Sequence, residues 1–261
     1  MSRDRLARLL ALRHSPGEVA SKSERIYRSV LGRSEHIRAG NFDEVGVADL
    51  SLLFDLYDAE FFGGLLGAML KEDGAGKVTL RLSDRMTKAA GKTILRKHRK
   101  RGVFRLVERA EYEIAVSTLL LFQTFHDVDR TVTVGGIVCR DRLEALQRIF
   151  EHELLHLAEF LAEGRSSCSA GQFQALSRAI FGHSAAVHDL VTPREIAAKH
   201  HEVRQGDLVA FEHDGRTRVG RINRITKRAT VLVEDGAGRL FSDGRRYMTF
   251  YVPLDRLRKQ G

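Results

Sequence analysis

The feature that most constrains the fold is one long amphipathic segment in the middle of the chain, between Asp141 and Gly164. Its apolar residues recur every three or four positions, which predicts a single helix with one face in the core. These residues are Leu143, Leu146, Ile149, Phe150, Leu154, Leu157 and Leu161. Asp141 suits the N-cap of this helix and Gly164 its C-terminal end. The rest of the chain must supply the partners that bury this face.

The residues on either side favour a mixed α+β domain. Their patterns predict two short helices over 3–40, broken at Ser15-Pro16-Gly17, and a core-facing helix over 49–70, with end signals at Gly63-Gly64 and at the glycines 74 and 76. Strands are expected at 78–82, 112–116 and 132–138. A further helix is expected over about 170–181. We therefore predict N-terminal helices over residues 1–45 and an α+β domain over residues 46–202.

The C-terminal region has a different pattern. After residue 203, short alternating apolar runs are separated by the pairs Asp214-Gly215, Asp235-Gly236 and Asp243-Gly244. Such runs are typical of antiparallel strands joined by tight turns. We predict a small all-β module over residues 203–261, of the SH3-like barrel class.

Charge and cysteine content narrow the classes of function. Lys and Arg number 43 against 34 Asp and Glu, and the net charge of +9 makes a nucleic acid a candidate partner. Cys139 and Cys168 are too few for a disulfide framework, which indicates a reducing, cytoplasmic setting. Because no signal-like or membrane-spanning apolar run is present, we expect neither export nor membrane insertion.

The strongest chemical motif is His152-Glu153-Leu154-Leu155-His156, inside the long helix. Residues at i and i+4 lie on the same helix face, so both imidazoles can reach one metal ion. The motif predicts a zinc site in which Glu153 is the general base for a metal-bound water. The competing interpretation, two histidines on a solvated charged face, is weaker because Leu154 and Leu157 turn this helix into the core.

Three blocks occur in the order found in a known family. They are residues 56–65 (LYDAEFFGGL), residues 82–91 (LSDRMTKAAG) and residues 152–156 (HELLH). With these blocks, residues 48–183 resemble the SprT-like zinc metalloprotease family, which includes Spartan. The resemblance implies a zincin-like α+β fold, a cleft beside an edge strand and peptidase activity. In the Spartan branch, that activity degrades proteins crosslinked to DNA.

The sequence departs from this family at the third zinc ligand. Family members usually place a His-Gly pair 13 residues after the second zinc histidine, where this chain has Ser169-Ala170. Phe173 retains the aromatic residue of the family pattern. Glu159 is a poor substitute, because it lies roughly 10 Å from His152 along the axis of the same helix.

Cys168 is the best candidate for the missing ligand. It lies one residue before the expected place, and two histidines with one cysteine form a known catalytic zinc set. The alternatives, in order, are His183 and His188. A thiolate ligand would also lower the net charge of the site, so we expect activity that is low, gated or absent.

The positive charge concentrates in two regions. Between Lys88 and Arg105 there are eight basic residues and no acidic one, and residues 203–261 contain 13 basic and 7 acidic residues. The first region is either a nucleic-acid contact or a solvated basic loop. Its candidate nucleic-acid contacts are Arg96, Lys97, Arg99, Lys100 and Arg101. In the second region, aromatic residues either stack on bases or fill the small core.

Together these patterns predict a zinc-dependent endopeptidase that acts on nucleic-acid-associated proteins. His152, His156 and Cys168 would bind Zn²⁺, and Glu153 would be catalytic. The substrate would be a protein or peptide, and nucleic acid would bind without sequence preference. The alternative is a non-catalytic nucleic-acid-binding protein in which the zinc is structural, with four protein ligands.

Overall fold

The computed structural model describes residues 2–101, 106–125 and 130–260. The helices are α1 (Ser2–Ala11), α2 (Pro16–Arg33), α3 (Val47–Tyr57), α4 (Leu65–Glu72), α5 (Thr118–Gln123), α6 (Arg142–Glu163), α7 (Gly171–Phe181) and α8 (Pro193–His200). The strands are β1 (Thr79–Ser83), β2 (Gly91–Arg101), β3 (Leu106–Ser117), β4 (Val132–Val134), β5 (Ile137–Cys139), β6 (Leu208–His213), β7 (Arg216–Ile225), β8 (Ala229–Leu240), β9 (Arg246–Val252) and β10 (Arg258–Lys259). The fold is therefore mixed α+β.

The chain divides into two compact units, unit 1 over residues 1–190 and unit 2 over residues 191–261. Unit 1 contains α1 to α7 and β1 to β5, and unit 2 contains α8 and the remaining strands. None of the described helices combines the length and the apolar composition that a membrane span needs.

Helix α6 is the centre of unit 1. The Asp141 side chain accepts a hydrogen bond from the backbone N–H of Glu144, and Gly164 ends the helix with a φ of 71°. Glycine adopts this left-handed conformation without the steric cost that a Cβ brings. All of the apolar positions expected on the inner face are buried. The long helix predicted from the sequence, with both of its ends, is confirmed.

A three-stranded sheet in the order β1-β3-β2 accompanies this helix, with β1 parallel and β2 antiparallel to β3. Strand β2 corrects one expectation, because Gly91–Arg101 is a strand and not a solvated basic loop. Its many Lys and Arg residues leave no alternation of apolar and polar positions from which a strand could be predicted. Pairing with β3, in continuous register from Gly91↔Val116 to Arg101↔Leu106, outweighs that weak local propensity.

The helix predicted over 49–70 is divided into two. After α3, a π-helical turn covers Asp58–Phe62, and Gly63 and Gly64 then have φ values of 60° and 81°. Helix α4 begins directly after this pair. The two glycines therefore divide a segment that was predicted as one helix.

The first 45 residues are not separate from the domain that follows. Leu9 of α1 and Ile26 of α2 are fully buried in the same hydrophobic core as Phe150 of α6. Because α1 and α2 cover the long helix, they belong to unit 1.

Unit 2 contains an antiparallel sheet of five strands in the order β10-β6-β7-β8-β9. Val209, Ile222 and Val231 from its three inner strands are buried in a core of their own. Asp214 and Gly215 have positive φ values of 50° and 70°, as a two-residue hairpin turn requires. Within the described residues, the end strands β9 and β10 do not pair with each other.

Two details of unit 2 differ from the sequence predictions. Asp235-Gly236 does not end a strand, because β8 continues across a bulge in which Glu234 and Arg239 both pair with Tyr247. Helix α8 also belongs to unit 2, so the division lies at 190/191 where we predicted 203. Ala197 of α8 is fully buried in the core of unit 2, which explains this earlier boundary.

Candidate metal centre

His152, His156 and Cys168 converge. Their donor atoms all lie within 4.8 Å of one another, and within the described ranges they form the only group of three or more potential metal donors. The Nε2 atoms of the two histidines are 3.2 Å apart. Two nitrogens bound to one tetrahedral zinc ion, with bonds of about 2.0–2.1 Å, are about 3.3 Å apart. The spacing of these side chains therefore fits a single ion.

Packing and burial make the two imidazoles suitable ligands. The ring centroid of the fully buried Phe173 is 5.0 Å from that of His152 and 4.5 Å from that of His156. Burial lowers the pKa of His152 to about 3, with a further contribution from His156, and lowers the pKa of His156 to about 4. Both rings are therefore neutral near pH 7, and a neutral imidazole offers a lone pair to a metal.

Glu153 is held beside the edge strand β2. Thr93 Oγ1 lies 2.7 Å from Glu153 Oε2 and 2.9 Å from the backbone oxygen of the same residue. Gly91 leaves the space that this carboxylate fills, because a Cβ at Gly91 would lie 2.5 Å from Glu153 Oε1. Burial raises the pKa of Glu153 to about 7, although the Thr93 hydrogen bonds oppose this shift. A carboxyl group of that pKa can take up and release a proton at neutral pH.

His183, the first alternative to Cys168, has another partner. Its Nε2 lies 2.7 Å from Glu151 Oε2, and both side chains are almost completely buried. Glu151 Oε1 is 2.9 Å from Arg148 Nη1 and accepts a hydrogen bond of 2.8 Å from the Tyr57 hydroxyl. We name Tyr57, Arg148, Glu151 and His183 the buried network. The Nε2 atom of His183 is thus bonded to Glu151, and His183 is not part of the three-donor group.

His188, the second alternative, has a partner at both ring nitrogens. Its Nδ1 accepts a hydrogen bond of 3.3 Å from the backbone N–H of Leu190. Its Nε2 lies 3.1 Å from the backbone oxygen of Lys88, to which it donates. His188 connects two backbone segments and is not part of the three-donor group.

The two cysteines have different surroundings. Cys139 is 4% exposed, and burial raises the pKa of its thiol to about 12. Cys168 is half-buried and lies in the loop between α6 and α7, next to the histidines. Only Cys168 is therefore placed to be a thiolate ligand.

The candidate nucleic-acid residues all fall on β2, and the structure describes two of their side chains. Arg96 forms an ion pair of 2.9 Å with Glu113, which also pairs with Arg81. Lys97 Nζ lies 3.2 Å from the position of a Cβ on Gly164, at the C-terminus of α6. The side chains of Arg99, Lys100 and Arg101 lie outside the described part of the structure.

Three neighbours of the site were missed by the sequence analysis. Thr93 and Gly91 position Glu153, and the Ser166 hydroxyl contacts His156 at 2.6 Å. Gly91 closes the second sequence block and Ser166 lies two residues before Cys168, so both positions carried a signal. Thr93 was hidden among basic residues.

No protein-family model, curated protein or solved structure matches this chain.

Proposed function

We propose that this chain is a zinc-dependent endopeptidase of the SprT-like type, with a zincin-like unit 1 and an SH3-like barrel in unit 2. The observation that carries this proposal is the convergence of His152, His156 and Cys168, with Glu153 on the same helix. The family itself is inferred from the three sequence blocks, of which the second ends at Gly91 beside Glu153.

The donor set favours zinc over other divalent ions. A thiolate and two imidazoles are soft or borderline ligands, whereas magnesium and calcium prefer carboxylate and carbonyl oxygens. All three donors are at least partly buried. A bound ion would therefore be held by the protein and shielded in part from solvent.

The number of donors favours catalysis over a structural role. Structural zinc sites usually have four protein ligands, whereas catalytic sites have three and leave one position open. Within the described residues, the group contains three donors. His183 and His188 are not among them, and their Nε2 atoms contact Glu151 and the backbone oxygen of Lys88.

The residues divide the chemistry among them. Zinc in such a site lowers the pKa of bound water and polarises a carbonyl group. Glu153 would accept the proton of the attacking water and donate it to the leaving amine. Thr93 and Gly91 fix the position of its carboxylate. Hydrolysis of a peptide bond is the reaction that these roles support best.

Nucleic acid is the partner that we propose for the basic surfaces, in a cytoplasmic setting. Strand β2 brings the run of basic residues to the edge of the sheet beside the metal centre, and unit 2 has an excess of positive charge. Phosphate contacts of this kind give an affinity that falls steeply with salt. An affinity for DNA that does not change between low and physiological salt would contradict this part of the proposal.

The peptidase proposal is tested with Glu153→Gln in the full chain. The substrates are an unfolded protein and the chain itself, with and without DNA, and Glu144→Gln on the same helix is the matched control. We expect Glu153→Gln to retain zinc and to lose about 100-fold or more of the activity, because a general base contributes about 10²–10⁴-fold. Glu144→Gln should retain both properties.

The alternative function predicts a different result. If the zinc is structural, wild type and Glu153→Gln should both bind the ion, and neither should cleave any substrate with or without DNA. That outcome would contradict the peptidase proposal and favour a nucleic-acid-binding protein.

A further inference from the structure

Behind the metal centre, one side chain connects His156 to a buried carboxylate. Ser166 Oγ lies 2.6 Å from His156 Nδ1 and 2.6 Å from Glu159 Oε2. Glu159 is 3% exposed, and its other oxygen accepts a hydrogen bond of 3.2 Å from Gln172. The carboxylate is thus held at both oxygens, and the serine hydroxyl lies between it and the histidine.

These contacts define a direction for each hydrogen bond. A carboxylate can only accept, so the Ser166 hydroxyl donates to Glu159. The Ser166 oxygen is then the acceptor for His156, which must carry its proton on Nδ1. The Nε2 lone pair of His156 consequently points towards His152 Nε2, 3.2 Å away, where a metal would lie.

The same hydroxyl anchors the loop that carries the third donor. Ser166 lies in the loop between α6 and α7, two residues before Cys168, and its bond to Glu159 ties that loop to α6. Gln172, at the start of α7, bonds to Glu159 and also to Glu163 at 2.6 Å. The loop is therefore fixed to α6 on both sides of Cys168.

We propose that Ser166 and Glu159 are positioning residues of the metal centre, which set the tautomer of His156 and the place of Cys168. This inference rests on the proposed zinc site. Metal-binding histidines commonly donate their second N–H to a carboxylate, and here a serine is interposed. Glu159 is not one of the three donors, and the structure assigns it this indirect role.

The first test needs no metal. In the metal-free full chain, ¹⁵N chemical shifts of the histidine rings report which nitrogen carries the proton. Wild type should show His156 protonated on Nδ1, and Ser166→Ala should shift the population towards Nε2. Ser166→Thr, which retains a hydroxyl, should restore the wild-type tautomer. A wild-type His156 protonated on Nε2 would overturn the proposal.

The second test is zinc affinity measured against a competing chelator. Ser166→Ala should weaken zinc binding by about 10- to 100-fold, as the loss of an outer partner of a zinc ligand does. Glu159→Gln should weaken it less, and Ser166→Thr should stay close to wild type. Ser167→Ala is the matched control, because its exposed hydroxyl contacts only Ser169 among the described hydrogen bonds, and it should have no effect.

An affinity of Ser166→Ala within about threefold of wild type, below the expected range, contradicts the positioning role. If wild type binds no zinc at all, the proposed function fails. The ring shifts then decide by themselves whether Ser166 controls the proton of His156, so the two failures are distinguishable.

Discussion

Two groups of polar side chains include neighbouring residues of α6, Glu151 and His152, but the two residues have different kinds of partner. Glu151 belongs to the buried network, in which its two carboxylate oxygens contact Tyr57, Arg148 and His183. The next residue, His152, belongs to the metal centre, which is only partly buried. Successive helix residues point about 100° apart, so the two groups face different surroundings.

The comparison shows why a buried histidine and a histidine ligand need different partners. In the buried network, Tyr57, Arg148 and His183 all contact the carboxylate of Glu151. A substitution of Glu151 therefore leaves these three side chains without that partner. In the metal centre, the Nε2 atoms of His152 and His156 face each other at 3.2 Å. Among the described contacts of these two rings, only the Nδ1 atom of His156, on the opposite side of its ring, has a hydroxyl partner, Ser166. The carboxylate of Glu151 is held by partners that stabilise the fold, whereas the facing Nε2 atoms of the metal centre have the spacing that one shared ion requires.

The largest effect is expected in the buried network. Glu151→Gln removes the charge that faces Arg148, so the free energy of unfolding should fall by about 3–5 kcal/mol, the cost of breaking a buried ion pair. Chemical denaturation measures the change. In the metal-free protein, His152→Gln breaks no ion pair and should cost about 1 kcal/mol, as a typical single substitution does. Equal losses for the two variants would remove the distinction between the groups.

Removal of zinc should lower the stability of only those variants that retain the metal centre. Zinc at 100 times its dissociation constant should stabilise wild type by about 2.7 kcal/mol, because the ion binds the folded state. His156→Ala should lose this gain, and Glu144→Gln, on the first turn of the same helix, should retain it. Thermal unfolding with and without chelator measures the difference. A zinc-dependent shift that survives in His156→Ala would place the ion elsewhere.

A smaller effect is expected at the strand that positions Glu153. Gly91→Ala would bring a methyl group against the Glu153 side chain, so stability should fall by about 1–2 kcal/mol, within the range for overpacking. Displacement of Glu153 should also lower the peptidase activity of the folded protein, beyond any loss caused by unfolding. Gly17→Ala, where no atom lies within 4 Å of the new Cβ, is the control and should be neutral or slightly stabilising. Unchanged activity in Gly91→Ala would show that Glu153 tolerates movement.

The features that the sequence predicted are local ones. Helix α6 follows from its periodicity and its two end residues, and the pair His152 and His156 follows from a spacing of four on that helix. Cys168 could be predicted because it lies in the short loop between α6 and α7. A short loop keeps its residues near the end of the helix that it follows.

The features that the sequence did not predict depend on distant contacts. Thr93 and Glu153 are 60 residues apart, and their contact exists because β2 pairs with β3. His183 was an alternative ligand in the sequence, which gave no sign of its partner Glu151, 32 residues away. Local sequence patterns identify candidate site residues, but the contacts made in the fold determine which of these residues can bind a metal ion.

The most direct test of the central claim is the absorption spectrum of the full chain with Co²⁺ in place of zinc. If His152, His156 and Cys168 hold one ion, wild type should bind one equivalent and show a sulfur-to-cobalt charge-transfer band. Cys168→Ser should lose that band and bind the metal more weakly, and Cys139→Ser should retain both properties. An unchanged band and stoichiometry in Cys168→Ser would contradict the assignment of this metal centre.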